Sequence, residues 1–369
     1  MAKKSELRVG IIGVGGIAFG KHMPALAAVD NVKMTAFFDP VQASAERGAK
    51  EFGVAGAAIT TSYQDLLALD LDVVHICTPN NSHAEIAIAA MEAGCHVMCE
   101  KPMATSAADA RRMVETSRRT GKKLTIGYQN RYRPDTLFLK RVCEKRELGE
   151  IYYAKALALR RRAVPTWGVF LDKTIQGGGP LIDIGTHALD MTLWLMDNYQ
   201  PEFVVGTAYQ KLGKRKNAAN AWGPWDPAKF TVEDSAFGFI KFTNGATVIL
   251  ESSWALNMLK TYESSCILCG TEAGAELMDK LRINGDRHNR MYTEELEAGD
   301  GKVTYRDITA KNASELEAKL WIDAIVRGKD PVVTPEQALT VTEILEAIYV
   351  SSETGKPVYF DEARQPVLA

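Results

Sequence analysis

The 369-residue sequence has few cysteines, no long apolar run and no excess of one charge. The six cysteines stand at 77, 95, 99, 143, 266 and 269. Only Cys266-Ile267-Leu268-Cys269 has metal-like spacing, and no second Cys/His pair accompanies it. All six therefore read as ordinary thiols, with no metal. No apolar stretch is long enough to cross a bilayer, and no apolar signal segment precedes the first strand. The expectation is a reduced, cytoplasmic protein. The 44 Lys and Arg nearly cancel the 46 Asp and Glu, for a net charge of -2. Nothing in that balance favours nucleic acid or an anionic membrane as partner. The short basic cluster Lys211 to Lys216 reads as a solvated loop. Internal repeats and low-complexity tracts are also missing. A chain of this length, 46% hydrophobic, has enough apolar residues for two domains.

The first third alternates strands and helices. Leu7 to Ile12 is an apolar strand, followed by Gly13-Val14-Gly15-Gly16-Ile17-Ala18 and an apolar helix pattern. A second strand, Val32 to Phe38, ends in Asp39. In this context the Gly-x-Gly-x-x-Ala run is a dinucleotide fingerprint. The first glycine turns the chain, the second bares the backbone to a pyrophosphate, and the small last residue lets helix and strand touch. The helix start then offers free N–H groups to phosphate. Asp39, 21 residues past Ala18, suits the adenosine ribose hydroxyls and repels a 2′-phosphate, so NAD is expected ahead of NADP. The plainer alternative is an Asp that only caps the next helix.

Further strands, Val73 to Cys77 and His96 to Cys99, each carry polar residues at their C-terminal ends: Thr78-Pro79-Asn80-Asn81-Ser82-His83 and Glu100-Lys101-Pro102. Such alternation specifies a doubly wound parallel sheet, with ligands at those strand ends. Ser82 and Glu85 have capping-box spacing. Lys101 can hydrogen-bond a substrate oxygen there, or merely pair with Glu100. Beyond Gly127 the texture changes to longer strands, including Ile151 to Arg162 with two apolar faces. Asn244-Gly245 signals a hairpin. Thr334-Pro335-Glu336-Gln337 is a capped start for the last long helix. The expected domains are 1–128 and 129–369, the second a mostly antiparallel sheet backed by helix.

The stretch Gly177-Gly178-Gly179-Pro180 opens a helix on which Asp183, His187, Asp190 and Trp194 share one face at α-helical period. A carboxylate one turn before an imidazole can orient it as a general base for an alcohol. Spacing alone leaves open a structural Asp–His pair.

Taken together, Gly13-Val-Gly-Gly-Ile-Ala, Thr78-Pro79-Asn80-x-x-His83, Gly94-x-His96-Val97-x-x-Glu100-Lys101-Pro102 and Gly177-Gly-Gly-Pro-Leu-x-Asp183-x-Gly-x-His187-x-x-Asp190 resemble the Gfo/Idh/MocA oxidoreductases (glucose–fructose oxidoreductase and inositol dehydrogenase). The resemblance covers nearly the whole chain, in order. It implies an N-terminal Rossmann domain and a C-terminal α/β domain with an open-faced sheet. It further implies Lys101, Asp183 and His187 as the catalytic constellation, and a cofactor site that includes Asn80, His83 and Glu100. Gly13, Gly15, Gly16, Ile17, Asp39, Thr78, Pro79 and Lys101 complete the expected NAD contacts. Lys101, Asp183 and His187, with Arg161 and Trp167, are the expected substrate contacts. The expected reaction is NAD-dependent oxidation of a secondary hydroxyl of a sugar, inositol or related polyol. An NAD-retaining glycoside hydrolase that oxidises its sugar transiently, and a non-catalytic sensor, are the alternatives. The glucose–fructose branch carries an export signal that this chain lacks, so its periplasmic redox cycle is not carried over. Arg160 to Trp167 and the Trp222 to Trp225 loop fall where such families vary. The two apolar faces of the Ile151 strand predict a homodimer or homotetramer through the C-terminal sheet.

Overall fold

The computed structural model describes residues 6–296 and 302–361, and 366–368 in backbone. The chain forms two compact units. In the first, six strands run parallel: β1 (Leu7–Ile12), β2 (Val32–Phe38), β3 (Ala58–Thr60), β4 (Val73–Ile76), β5 (His96–Cys99) and β6 (Leu124–Ile126). Their order is β3-β2-β1-β4-β5-β6, so the winding reverses between β1 and β4. That reversal opens a crevice at the strand C-termini, where doubly wound sheets bind ligands. All four β4 side chains, Val-Val-His-Ile, are buried, because helices cover both faces of the sheet.

One helix of this unit comes from far along the chain. Ala313–Arg327 puts Ala318, Trp321 and Ile322 into a core with Leu7, Val9, Ile11, Met23, Leu26 and Phe37. Asn312 caps its start through the Glu315 N–H at 2.9 Å, and Gly328 at φ 69° ends it. Residues 302–339 therefore pack with the N-terminal sheet rather than with the block that follows residue 128. An amphipathic helix goes where its apolar stripe finds a face, whatever its place in the sequence.

The second unit is built on a ten-stranded sheet. Eight of its strands are β7 (Ile151–Leu159), β8 (Pro201–Tyr209), β9 (Ser235–Phe242), β10 (Thr247–Ser253), β11 (Tyr262–Gly270), β12 (Ala273–Leu277), β13 (Leu281–Arg287) and β14 (Arg290–Leu296). The order is β14-β13-β12-β11-β7-β10-β9-β8, with Val358–Phe360 and Pro366–Leu368 beyond β8. Every pairing is antiparallel except β7 with β10. Asn244-Gly245 forms the expected hairpin, with Gly245 at φ 89°. The α-helix Thr186–Met196 packs on β7, whose Ala154, Ala156 and Ala158 are fully buried. Gly206 and Gly238 lie directly under Ile348 of the helix Pro335–Thr354, and a Cβ at either would meet it at 2.7 or 2.5 Å. Thr334 caps that helix through the Gln337 N–H.

Cys266 and Cys269 sit three apart on β11, so they project from opposite faces and do not converge on one ion. Among the described residues no helix is long and apolar enough to cross a membrane.

Candidate active site

The cofactor end of the first unit is built around the loop after β1. Gly13 sits at φ 89°, and a Cβ there would come within 2.8 Å of the Cys77 backbone. Gly15, Gly16 and Ile17 are exposed, with open space around both glycines. A bare, convex backbone of this kind suits the close approach of a pyrophosphate. The chain then winds as a wide π turn, Ala18–His22, before the α-helix Met23–Ala27. Asp39 is half-buried at the end of β2. Its Oδ2 accepts the Val14 N–H and its Oδ1 the Val41 N–H, both at 2.9 Å. It thus fixes the glycine loop and the next helix start at once. A carboxylate has about four acceptor sites, so capacity remains for ribose hydroxyls.

Beyond β4, Thr78 is half-buried and Pro79 exposed, and Asn80 opens a short 3-10 turn, Asn80–Ser82. The expected capping box does not form. The Ser82 hydroxyl donates to the Pro79 carbonyl and shares a 2.7 Å hydrogen bond with the Thr78 hydroxyl, while Glu85 accepts from the Tyr63 hydroxyl. The 3-10 turn aims Ser82 back at its own loop instead of forward at the helix. His83 is fully buried, its ring nitrogens 2.8 Å from the Pro102 carbonyl and 2.9 Å from the Thr78 carbonyl. Burial lowers its pKa, so the neutral ring donates to one of the two. His83 therefore ties the loop to the Glu100-Lys101-Pro102 corner from beneath.

Glu100 is also turned inward. Its Oε1 accepts from Lys21 Nζ at 2.9 Å and from His22 Nε2 at 2.8 Å, and its Oε2 accepts the Lys101 N–H at 3.1 Å. Lys21 reaches Glu317 at 3.0 Å as well, and His22 Nδ1 lies 2.9 Å from His75 Nδ1. None of these five side chains is more than 9% exposed. Burial alone would depress the His22 pKa, but the Cys77 sulfur and the Glu100 carboxylate raise it to about 10. The geometry agrees, since an imidazolium can donate to Glu100 and to His75 together. His75, buried beside those cations, is held neutral and accepts. Two cations then balance two carboxylates. The cluster links the π turn behind the glycine loop to the backbone of Lys101, whose side chain is half-buried. Sequence reasoning missed Lys21, His22, His75 and Glu317; two polar residues in an otherwise apolar helix pattern were the available signal.

In the second unit the helix around Asp183 is not α-helical throughout. Leu181–Gly185 is a π turn, and the α-helix begins at Thr186. The single α-period face expected for Asp183, His187, Asp190 and Trp194 therefore breaks between Asp183 and His187. Asp183 remains half-buried, while the other three are buried. Asp183 Oδ2 accepts the indole N–H of Trp254 at 3.0 Å. The start of the helix is held by Glu233, which accepts from the Gly179 and Leu181 N–H groups at 2.8 and 3.1 Å and from the Tyr349 hydroxyl. The glycines upstream are required, since a Cβ at Gly178 would strike Tyr349 and one at Gly179 the Glu233 carbonyl. Nothing in the sequence marked Glu233 or Trp254. Arg161 and Trp167 are exposed on the segment after β7.

The chain matches two family models in succession. One is the oxidoreductase family NAD-binding Rossmann fold at residues 7–128, the other the oxidoreductase family C-terminal alpha/beta domain at 140–360. D-glucoside 3-dehydrogenase of Escherichia coli is 38% identical over 96% of this chain and 97% of its own. Inositol 2-dehydrogenase of Salmonella typhimurium is 27% identical over 73% of this chain and 74% of its own. The structure of levoglucosan dehydrogenase with NADH and levoglucosan superposes with a TM-score of 0.81 at 23% identity, covering 96% of this chain and 99% of that one. The bare glycine loop and Asp39 fit the dinucleotide these models describe, and the chain belongs to the Gfo/Idh/MocA oxidoreductase family, with NAD as its cofactor.

Proposed function

We propose that this protein is an NAD-dependent dehydrogenase that oxidises a secondary ring hydroxyl of a sugar or glycoside. The observation that carries the reading is the Asp183 carboxylate, fixed by the Trp254 indole on the π turn that leads into the helix of His187. In the proposed roles His187 removes the hydroxyl proton, Asp183 orients its ring and stabilises the charge it takes up with that proton, and Lys101 holds the same oxygen as charge develops there. NAD, when bound, accepts the carbinol hydride. The 38% identity to an enzyme named for oxidising D-glucosides favours a glucoside over an inositol as substrate. A panel of glucosides, free sugars and inositols with NAD and NADP, read at the NADH absorbance, tests it. Aglycone release without net NADH would replace this reading with the NAD-retaining hydrolase.

Cofactor choice is expected to follow Asp39. NAD should outperform NADP in kcat/KM by about tenfold or more, and Asp39→Ala should shrink that gap by about 10–100-fold, the worth of hydrogen bonds to a charged group. Equal use of NAD and NADP by the wild type would refute the role.

The open face of the second sheet carries Phe203, Val205, Tyr209, Phe237, Phe239 and Tyr359. Phe203 stacks on Phe239 at 6.1 Å and lies 5.5 Å from Tyr359. Val205, Tyr209, Phe239 and Tyr359 are exposed. A second copy pairing its like face would cover this ladder. Sedimentation at micromolar concentration should show a dimer or a dimer of dimers; a single species of about 40 kDa would sink the idea.

A further inference from the structure

We infer that Trp167 and Trp222 form a stacking platform for the aglycone ring of a glycoside, outside the ring that is oxidised; this rests on Asp183 and His187 being the oxidising end. The two indoles lie 5.1 Å apart between centroids, inclined at 62°, and are 53% and 42% exposed. Two large aromatic side chains left side by side in water are costly unless something covers them.

The platform is held in place before any ligand arrives. The Asn220 side chain accepts the Val164 N–H at 2.9 Å and donates to the Val164 and Gly223 carbonyls. The Thr166 hydroxyl donates to the Trp222 carbonyl at 2.7 Å, and the Ala221 N–H to that of Arg162. The Arg160 guanidinium lies 5.0 Å from the Trp222 ring centre and is itself fixed by the Glu263 carboxylate. Ordering this loop costs a ligand little, which is how a preorganised surface gains affinity.

The platform is continuous with the proposed chemistry. Trp167 contacts Phe170 at 6.0 Å, Phe170 contacts Trp254 at 6.3 Å, and Trp254 donates to Asp183. Two aromatic rings thus intervene between the carboxylate and the exposed pair. A substrate that engages both ends carries a second ring beyond the one oxidised. The cation over the Trp222 ring does not select an anionic group. Arg160 is spent on Glu263, and Arg162 bonds the Asn257 amide at 2.5 Å. An uncharged ring with one apolar face, aryl or pyranose, matches this surface.

The test compares phenyl β-D-glucoside with methyl β-D-glucoside, using NAD and the full-length enzyme. Wild type should favour the phenyl glucoside in kcat/KM. In Trp222→Ala and Trp167→Ala that preference should fall about tenfold, through KM, and Trp222→Phe should restore most of it. Titration of each glucoside against tryptophan fluorescence gives a second readout that needs no turnover. Phenyl glucoside should quench the wild type, and the Ala variants should lose that response. Equal treatment of the two glucosides by wild type, or an unchanged preference in both Ala variants, would overturn the platform. So would a shift of the Ala variants to smaller species in sedimentation, which would make the pair a subunit contact. If no glycoside is oxidised but the fluorescence response behaves as stated, the platform stands and the reading of the reaction falls.

Discussion

Lys101→Met and His187→Ala are each expected to lower turnover about 100-fold or more while leaving NAD affinity within a few-fold of wild type. The magnitude is the usual cost of a positioned acid–base or charge-stabilising group. Methionine keeps most of the lysine's length and apolar stem, so what it removes is the ammonium. NAD affinity should survive because the glycine loop is set by Gly13 against Cys77 and by Asp39 on Val14, neither of which involves Lys101 or His187. Asp183→Asn is expected to be milder, near tenfold. The amide oxygen can still accept the Trp254 N–H, so the side chain stays placed and only its charge is lost. Turnover and NAD binding, measured for all three variants on the best glucoside, separate these outcomes. Near-wild-type turnover in both Lys101→Met and His187→Ala would mean that the chemistry is elsewhere.

The parts of the fold that could be read in the sequence were those set by local pattern. The parallel sheet, the Gly13 turn, the Asn244-Gly245 hairpin and the Thr334 cap each depend on a few adjacent residues. Three features depended on distant partners and could not be read. The Ala313–Arg327 helix joins the first sheet because Trp321 and Ile322 find the β1–β2 core nearly 300 residues upstream. The π turn at Leu181–Gly185 follows from Glu233 gripping the Gly179 and Leu181 N–H groups. Glu100 and His83, which the resemblance placed in the cofactor site, spend their polar atoms on the protein itself. A motif shows that a residue matters, while its rotamer, which decides whether it touches a ligand or holds one that does, is set by the packing around it.

Glu100→Gln is accordingly expected to be the most destabilising of the substitutions considered, about 3–5 kcal/mol near pH 6, because it leaves buried cations without their carboxylate. Glutamine preserves the shape and can still accept the Lys101 N–H, so the loss reports charge rather than a cavity. The difference between wild type and variant should depend on pH in both directions. The cations hold the Glu100 carboxyl well below the usual range. A depressed carboxyl contributes stability that is full above its unfolded pKa of about 4.3 and is lost as pH falls toward the folded value. His22 is raised to about 10 from an unfolded value near 6.5. Its contribution is full below about 6.5 and fades as pH rises toward 10. The two overlap fully between roughly pH 4.5 and 6.5, where the gap should be widest. His75, held neutral in both proteins, adds an acid sensitivity that largely cancels in the difference. His22→Gln should remove the alkaline limb and keep the acid one. By contrast, breaking the exposed Arg8–Asp70 pair with Asp70→Asn should leave the unfolding midpoint close to wild type. Denaturant unfolding of the four proteins from pH 4 to 10 provides the comparison. A Glu100→Gln deficit under about 1 kcal/mol and flat with pH would show that the Lys21–Glu100–His22 cluster is a solvated pairing and not the buried tie between the glycine-loop helix and Lys101.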